Sequence, residues 1–222
     1  GGGTYIDTKG DVTVNNPKAK AAISAWKSFI GTISPSSTTT DSYEESRAYF
    51  VNGNAVFHRN WSYAYSASNG EDSLVHNKIG VMEIPSNVPG KPGQGTQGGW
   101  GYSVLSKSSK KDIAIAWAKF YANYENSVYR AANYSMIPAR VDVYENAEVK
   151  AKQPSLIAMK DALVNTVARP STVTGKYYSK VSSEIANHLH EALTSSMPID
   201  EAFARLESRL NALKPRWDRE NK

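Results

Sequence analysis

The chain has 222 residues, enough for one large domain or two small ones, and 40% of them are hydrophobic, enough for a core. Lys and Arg number 26 against 21 Asp and Glu, a formal net charge of +5. The charges are dispersed and no nucleic-acid motif accompanies them, so a solvated basic surface is expected rather than nucleic-acid binding. With no cysteine there is no disulfide, thiol nucleophile or thiolate metal site, and no stretch approaches the ~20 apolar residues that cross a bilayer.

Residues 4–14 alternate weakly around Thr8-Lys9-Gly10-Asp11, which predicts an extended segment or a hairpin. Asn16-Pro17 opens a helix, with Asn as cap and Pro at its first position. Ile23, Trp26, Phe29 and Ile30 fall on one face of it, which makes Trp26 a core residue by default. A Ser/Thr loop over 34–40 leads to Asp41 and Glu44, spaced as a capping box, ahead of a short helix with Tyr49, Phe50 and Val51. After the turn Asn52-Gly53-Asn54, residues 55–59 read as a strand running into Asn60-Trp61-Ser62-Tyr63. Residues 78–84 read as a second strand, 85–99 as a polar loop rich in Gly, Pro and Gln, and 100–106 as a third strand. The clearest helix is 110–124, where Ile113, Ala116, Trp117, Phe120, Tyr121 and Tyr124 make one stripe, again with Trp117 as core by default. Further helices are expected near 155–167, 176–194 and 199–213, separated by Pro170 and Pro198. Strands early and helices late indicate an α/β architecture.

Candidate chemistry is sparse. His188 and His190 are two apart on a predicted helix and point to different faces, which disfavours a metal site. His58 sits in a predicted strand with no acid near it in sequence, so a structural role is expected. No nucleophile elbow is present, and Ser106-Lys107-Ser108-Ser109-Lys110 reads as a polar turn. Gly98-Gly99-Trp100-Gly101 lacks the Lys-Ser/Thr of a phosphate loop. The carboxylate pairs Glu44-Glu45 and Glu71-Asp72 look exposed, and no glycosidase pair is assigned. The aromatics say more: 5 Trp and 13 Tyr. Trp61, followed by Ser62-Tyr63, and Trp100, preceded by Gly98-Gly99, lie at predicted strand ends beside small or polar residues. A ring so placed can offer its flat face to the apolar C–H face of a sugar; packing at a loop mouth is an equally good reading from the residues alone.

One series of motifs has a particular order. Gly1-Gly2-Gly3-Thr4-Tyr5 is followed by Val-Asn-Asn-Pro before a Trp-containing helix. Then come Phe50-Val51-Asn52-Gly53-Asn54-Ala55-Val56, Asn60-Trp61-Ser62-Tyr63-Ala64, Lys78-Ile79-Gly80-Val81, Gly98-Gly99-Trp100, Ser106-Lys107 before Ala-Trp-Ala-Lys-Phe, and Ala168-Arg169-Pro170. The series resembles the extracellular solute-binding proteins of family 1, within them the trehalose/maltose-binding group, over nearly the whole chain. Each motif alone is weak; together and in order they are specific, and they make Gly1–Gly3 part of the native chain.

The resemblance implies a two-lobed periplasmic-binding-protein fold (type II, α/β), here mainly the helix-rich C-terminal lobe. Residues 1–99 and 148–222 would form that lobe, and 100–147 would belong to the N-terminal lobe, most of which is absent. It implies no enzyme and no cofactor or metal. Its sugar-binding residues would be Trp61, Tyr63, Gly99, Trp100 and Arg169, the two tryptophans stacking on pyranose rings and Tyr63 and Arg169 bonding hydroxyls. The implied function is capture of a di- or oligosaccharide in an interlobe cleft for import by an ABC transporter. The implied partners are the sugar, the permease subunits, and the missing N-terminal half as a possible separate chain covering the apolar face of 110–124. The implied location is periplasmic or extracellular, held to the membrane by an upstream anchor. An interaction module that keeps the scaffold without transport is the alternative; a carbohydrate-active enzyme stands behind both.

Overall fold

The computed structural model describes residues 3–86 and 88–219. Gly1 and Gly2 of the opening triple glycine lie outside the described residues. In chain order the helices are α1 (Pro17–Phe29), α2 (Tyr43–Val51), α3 (Tyr63–Ser68), α4 (Lys111–Ala122), α5 (Tyr124–Tyr134), α6 (Ala147–Lys152), α7 (Pro154–Ala158), α8 (Lys160–Val164), α9 (Ser171–Thr174), α10 (Tyr178–Thr194) and α11 (Ile199–Asp218). Among the described residues the one sheet is the parallel pair of β1 (Gly95–Thr96) and β2 (Thr166–Val167), with Gly95 opposite Thr166. The chain divides into two compact units: Gly1–Asp41 with Ala168–Lys222, and Ser42–Val167.

The first unit opens with the expected hairpin, Ile6 bridging Val12 antiparallel. The Asp7 carboxylate accepts from the Lys9 and Asp11 N–H groups at 2.9 Å each, and Gly10 supplies the positive φ (87°) that the turn needs. Asn16 caps α1 as its sequence demands: Oδ1 accepts from Ala19 N–H at 2.9 Å. The core gathers Val14, Ile23, Val181, Phe203, Leu206, Leu210 and Trp217. The face of α1 that meets this core runs through Lys20, Ile23 and Lys27. Trp26 and Phe29, at 100° per residue, lie roughly 60° and 120° round from Ile23. Trp26 is therefore 55% exposed, and its expected core role is overturned. Lys27 instead donates to Ala192 O (2.8 Å) and Ser195 O (2.7 Å), satisfying two carbonyls at the end of α10.

The last two long helices start and stop differently from their predicted spans. A 3-10 turn, Gly175–Tyr177, precedes α10. α11 runs past residue 213 to Asp218 in spite of Pro215, which forfeits one backbone bond. Two contacts offset that loss. Trp217 is buried with its Nε1–H donating to Gly10 O at 3.2 Å, and Lys214 bridges Asp218 at 2.6 Å.

The second unit centres on α5, whose Val128, Ala131 and Ala132 pack with Val143, Val149 and Leu156. Gln153 ties this core together: its Nε2 donates to Ala132 O at 2.9 Å and its Oε1 accepts from Ser135 Oγ at 2.7 Å. Ser135 ends α5 in the left-handed region (φ 52°) and also pairs with Ser66 of α3.

Several expectations for this unit fail for identifiable reasons. α2 is capped one residue later than the predicted Asp41/Glu44 box: Ser42 is the N-cap, and its N–H donates to the Glu45 carboxylate at 2.6 Å. None of 55–59, 78–84 and 100–106 is a strand, because a strand exists by its ladder and no described segment pairs with them. The apolar stripe of 110–124 holds a helix boundary: Asn123 ends α4 and caps α5, accepting from Asn126 N–H at 2.8 Å. The expected helix 155–167 is broken into α7 and α8, and its β-branched end, Thr166-Val167, pairs with Gly95-Thr96.

Candidate functional site

Trp61 and Tyr63 are placed by α2. Because Ser42 caps the helix, Tyr43 and Glu44 fall in its first turn, with Ser46 and Arg47 one turn on. Asn60 Nδ2 donates to Tyr43 O at 3.3 Å, and Asn60 Oδ1 accepts from Trp61 N–H at 2.7 Å, which fixes the backbone before α3. The Trp61 ring meets Tyr43 edge-on, centroids 5.5 Å apart at 82°, and remains 60% exposed. It is thus held from one side and open on the rest, at the start of a helix and not at a strand end.

Tyr63 opens α3, and its hydroxyl donates to Glu44 Oε1 at 2.7 Å. The other oxygen, Glu44 Oε2, accepts from Arg47 Nε at 2.9 Å and Nη2 at 2.7 Å. The Tyr63 bond, with Arg47 behind it, holds the Glu44 carboxyl below its ordinary range, so it is ionised at neutral pH. Burial, and then the bond to Glu44, push the Tyr63 phenol up. Glu44 is therefore no idle surface acid, as its sequence context suggested.

His58 completes the frame. Its ring stacks on Phe50 at 5.2 Å, and Nε2 lies 3.3 Å from both Asn60 Nδ2 and Ser46 Oγ. Accepting from the Asn60 amide requires Nε2 to be unprotonated. Burial, with Arg47 adding to it, lowers the His58 pKa and favours the neutral ring. The other three histidines make backbone contacts: His76 Nδ1 lies 2.6 Å from Asn69 O, His188 Nδ1 2.8 Å from Glu184 O and His190 Nε2 3.0 Å from Thr39 O. Among the described residues no group of three or more His, Cys, Asp or Glu side chains could hold a metal ion.

Gly99 and Trp100 lie in an irregular segment after β1. A Cβ on Gly99 would meet nothing within 4 Å, and Trp100 is fully exposed, 101%. Arg169 belongs to the first unit, just before α9; it is exposed and forms no ion pair among the described residues, so its guanidinium fork is available.

The α4 helix shows a broad apolar face. Ile113 is 69% and Phe120 61% exposed, and Trp117, expected in the core, is also exposed. Trp117, Tyr102 and Tyr121 form a ring cluster with centroids 4.7 to 5.4 Å apart, and Arg130 lies 3.7 Å over the Tyr121 ring. A groove of about 390 Å³ is lined by Tyr102, Val104, Lys110, Ile113 and Trp117, among others. α4 contributes no buried residue to the second unit.

The fold is that of the two-lobed α/β periplasmic binding proteins, in a helix-rich chain. The model of the bacterial extracellular solute-binding proteins matches residues 2–155, and the chain belongs to that family. A protein of Deinococcus radiodurans described as a probable ABC transporter-binding protein is 36% identical over 216 residues, which are 97% of this chain and 51% of that protein. A maltose-bound MalE3 of T. maritima superposes with a TM-score of 0.89 at 31% identity, covering 96% of this chain and 54% of that one. The GacH receptor of Streptomyces glaucescens shares the fold with a TM-score of 0.79 at 22% identity, over 96% of this chain and 54% of its own. The chain thus spans about half the length of the relatives it matches. No helix among the described residues is long and apolar enough to cross a membrane.

Proposed function

We propose that this chain is the C-terminal part of the substrate-binding component of a sugar ABC transporter, capturing a di- or oligosaccharide of the trehalose/maltose type in an interlobe cleft. The observation that carries this reading is Trp61: a largely open indole, braced edge-on by Tyr43, two residues from a phenol that Glu44 holds in place. A sugar needs this pair of chemistries, a flat apolar surface for its C–H face and fixed polar atoms for its hydroxyls. Trp100 would be a second platform on the open Gly99 backbone, and Arg169 a second hydroxyl clamp. The maltose carried by the T. maritima relative supports the ligand class.

Residues 1–99 and 148–222 are proposed to lie in the C-terminal lobe of the working protein, and 100–147 in the other. The exposed α4 face would be covered by the remaining half of the fold that the longer relatives carry. Function would be capture without chemistry or cofactor, outside the cytoplasmic membrane, followed by docking on permease subunits.

The test is a tryptophan-fluorescence titration with trehalose and maltose, on the chain alone and with its complementary half supplied. A saturable change is expected, weakened at least tenfold by Trp61→Ala, about 1.4 kcal/mol. Unchanged affinity in that variant removes Trp61 from the site. No saturable signal under either condition defeats the sugar reading in favour of a scaffold-retaining interaction module.

A further inference from the structure

Glu44 lies outside the set of residues that the family resemblance assigns to the sugar, yet its contacts decide what Tyr63 can offer a ligand. A neutral phenol has one proton to give and lone pairs to receive. Ionised Glu44 has no proton, so in the 2.7 Å bond between them Tyr63 must be the donor. Arg47 takes the other carboxylate oxygen with two N–H groups and has only donors to offer, which keeps Glu44 charged and its second oxygen turned toward Tyr63. The Tyr63 proton is thus committed.

Resting on the sugar-binding reading above, we propose that Glu44 is a positioning residue that fixes the polarity of Tyr63, making its phenol oxygen an acceptor toward the ligand and selecting for a ligand hydroxyl that donates there. The Glu44–Arg47 pair neutralises itself, so this part of the site recognises an uncharged polyhydroxylated ligand by donor direction, not by charge. Trp61, two residues away and oriented through Asn60 from the same helix turn, supplies the apolar surface beside it.

Glu44→Gln isolates the idea. Arg47 still needs an acceptor, so the amide oxygen turns to Arg47 and the amide NH₂ faces Tyr63. The phenol now receives that bond, and its proton is released toward the ligand. Glu44→Gln should therefore weaken maltose binding about tenfold with Tyr63 present, and should have no further effect in a Tyr63→Phe background. Equal weakening in both backgrounds, or none in either, overturns the proposal.

A readout without sugar accompanies it. With the tyrosines ¹³C-labelled at the phenol carbon, the Tyr63 resonance should titrate at lower pH in Glu44→Gln than in the parent, because the anionic neighbour that raises its pKa is gone; Arg47 and Asn60 act in the other direction and remain. An unchanged Tyr63 titration overturns the proposal. If the parent binds neither maltose nor trehalose while the Tyr63 titration shifts as expected, the sugar reading fails and the fixed phenol stands.

Discussion

Trp217 joins the last helix to the first turn of the chain, and removing it tests how the first unit is held together. Its side chain is 1% exposed, and its Nε1–H donates to Gly10 O at 3.2 Å across 207 residues of sequence. Trp217→Ala deletes a fully buried indole and leaves a cavity, at a cost of about 3–5 kcal/mol. The orphaned Gly10 carbonyl adds about 1 kcal/mol. With a urea dependence of about 2 kcal/mol per molar, the unfolding midpoint should fall by roughly 2–3 M. Trp217→Phe keeps a ring in the core and loses the N–H and part of the volume, so it should fall about half as far. The assay is urea unfolding followed by far-UV circular dichroism, which reads α10 and α11. A midpoint within about 0.5 M of the parent for Trp217→Ala would refute this account.

Lys27→Met should destabilise the first unit by about 1–2 kcal/mol, since Ala192 O and Ser195 O lose a charged donor at the end of α10; an unchanged thermal midpoint would mean that water replaces the ammonium without loss. His58 has its pKa lowered in the folded state by burial and by Arg47, so the fold favours the neutral ring. Its stabilising contribution is full above the unfolded histidine value of about 6.5 and is lost as pH falls through the lowered folded value. Urea midpoints at pH 7.5 and pH 5 should therefore differ more in the parent than in His58→Gln, and an identical difference in both would sink the assignment.

The parts that were legible in the sequence are those decided by neighbours along the chain. Asn16-Pro17 announced a capped helix, Thr8-Lys9-Gly10-Asp11 a turn, and residues 199–213 a helix, which buries Phe203, Leu206, Leu210 and Leu213. The α2 cap was ambiguous by one residue, because Asp41/Glu44 and Ser42/Glu45 have the same spacing; the contacts of Glu44 with Arg47 and Tyr63 occupy the competing carboxylate. The boundary at Asn123 was hidden because Tyr121, Tyr124 and Val128 continue a helical period across it. The predicted strands depended on partners that no local pattern supplies. At the site, Trp61 and Tyr63 were found through a family series of motifs. Glu44 was missed because its link to Tyr63 spans 19 residues and leaves no periodic trace.

The junction at Asn123 separates two helices of unequal standing. α5 lies in a core, whereas none of the 12 residues of α4 is fully buried and only Ala114, Ala118 and Tyr121 are partly so, and isolated helices of about this length are marginal in water. Their amides should open with free energies near zero while those of α5 persist toward the stability of the whole unit. Hydrogen exchange along residues 111–134 would then change sharply at one asparagine. Whatever settles on Ile113, Trp117 and Phe120 would register as slowed exchange on the α4 side of that boundary, so the helix is a built-in gauge of its own coverage.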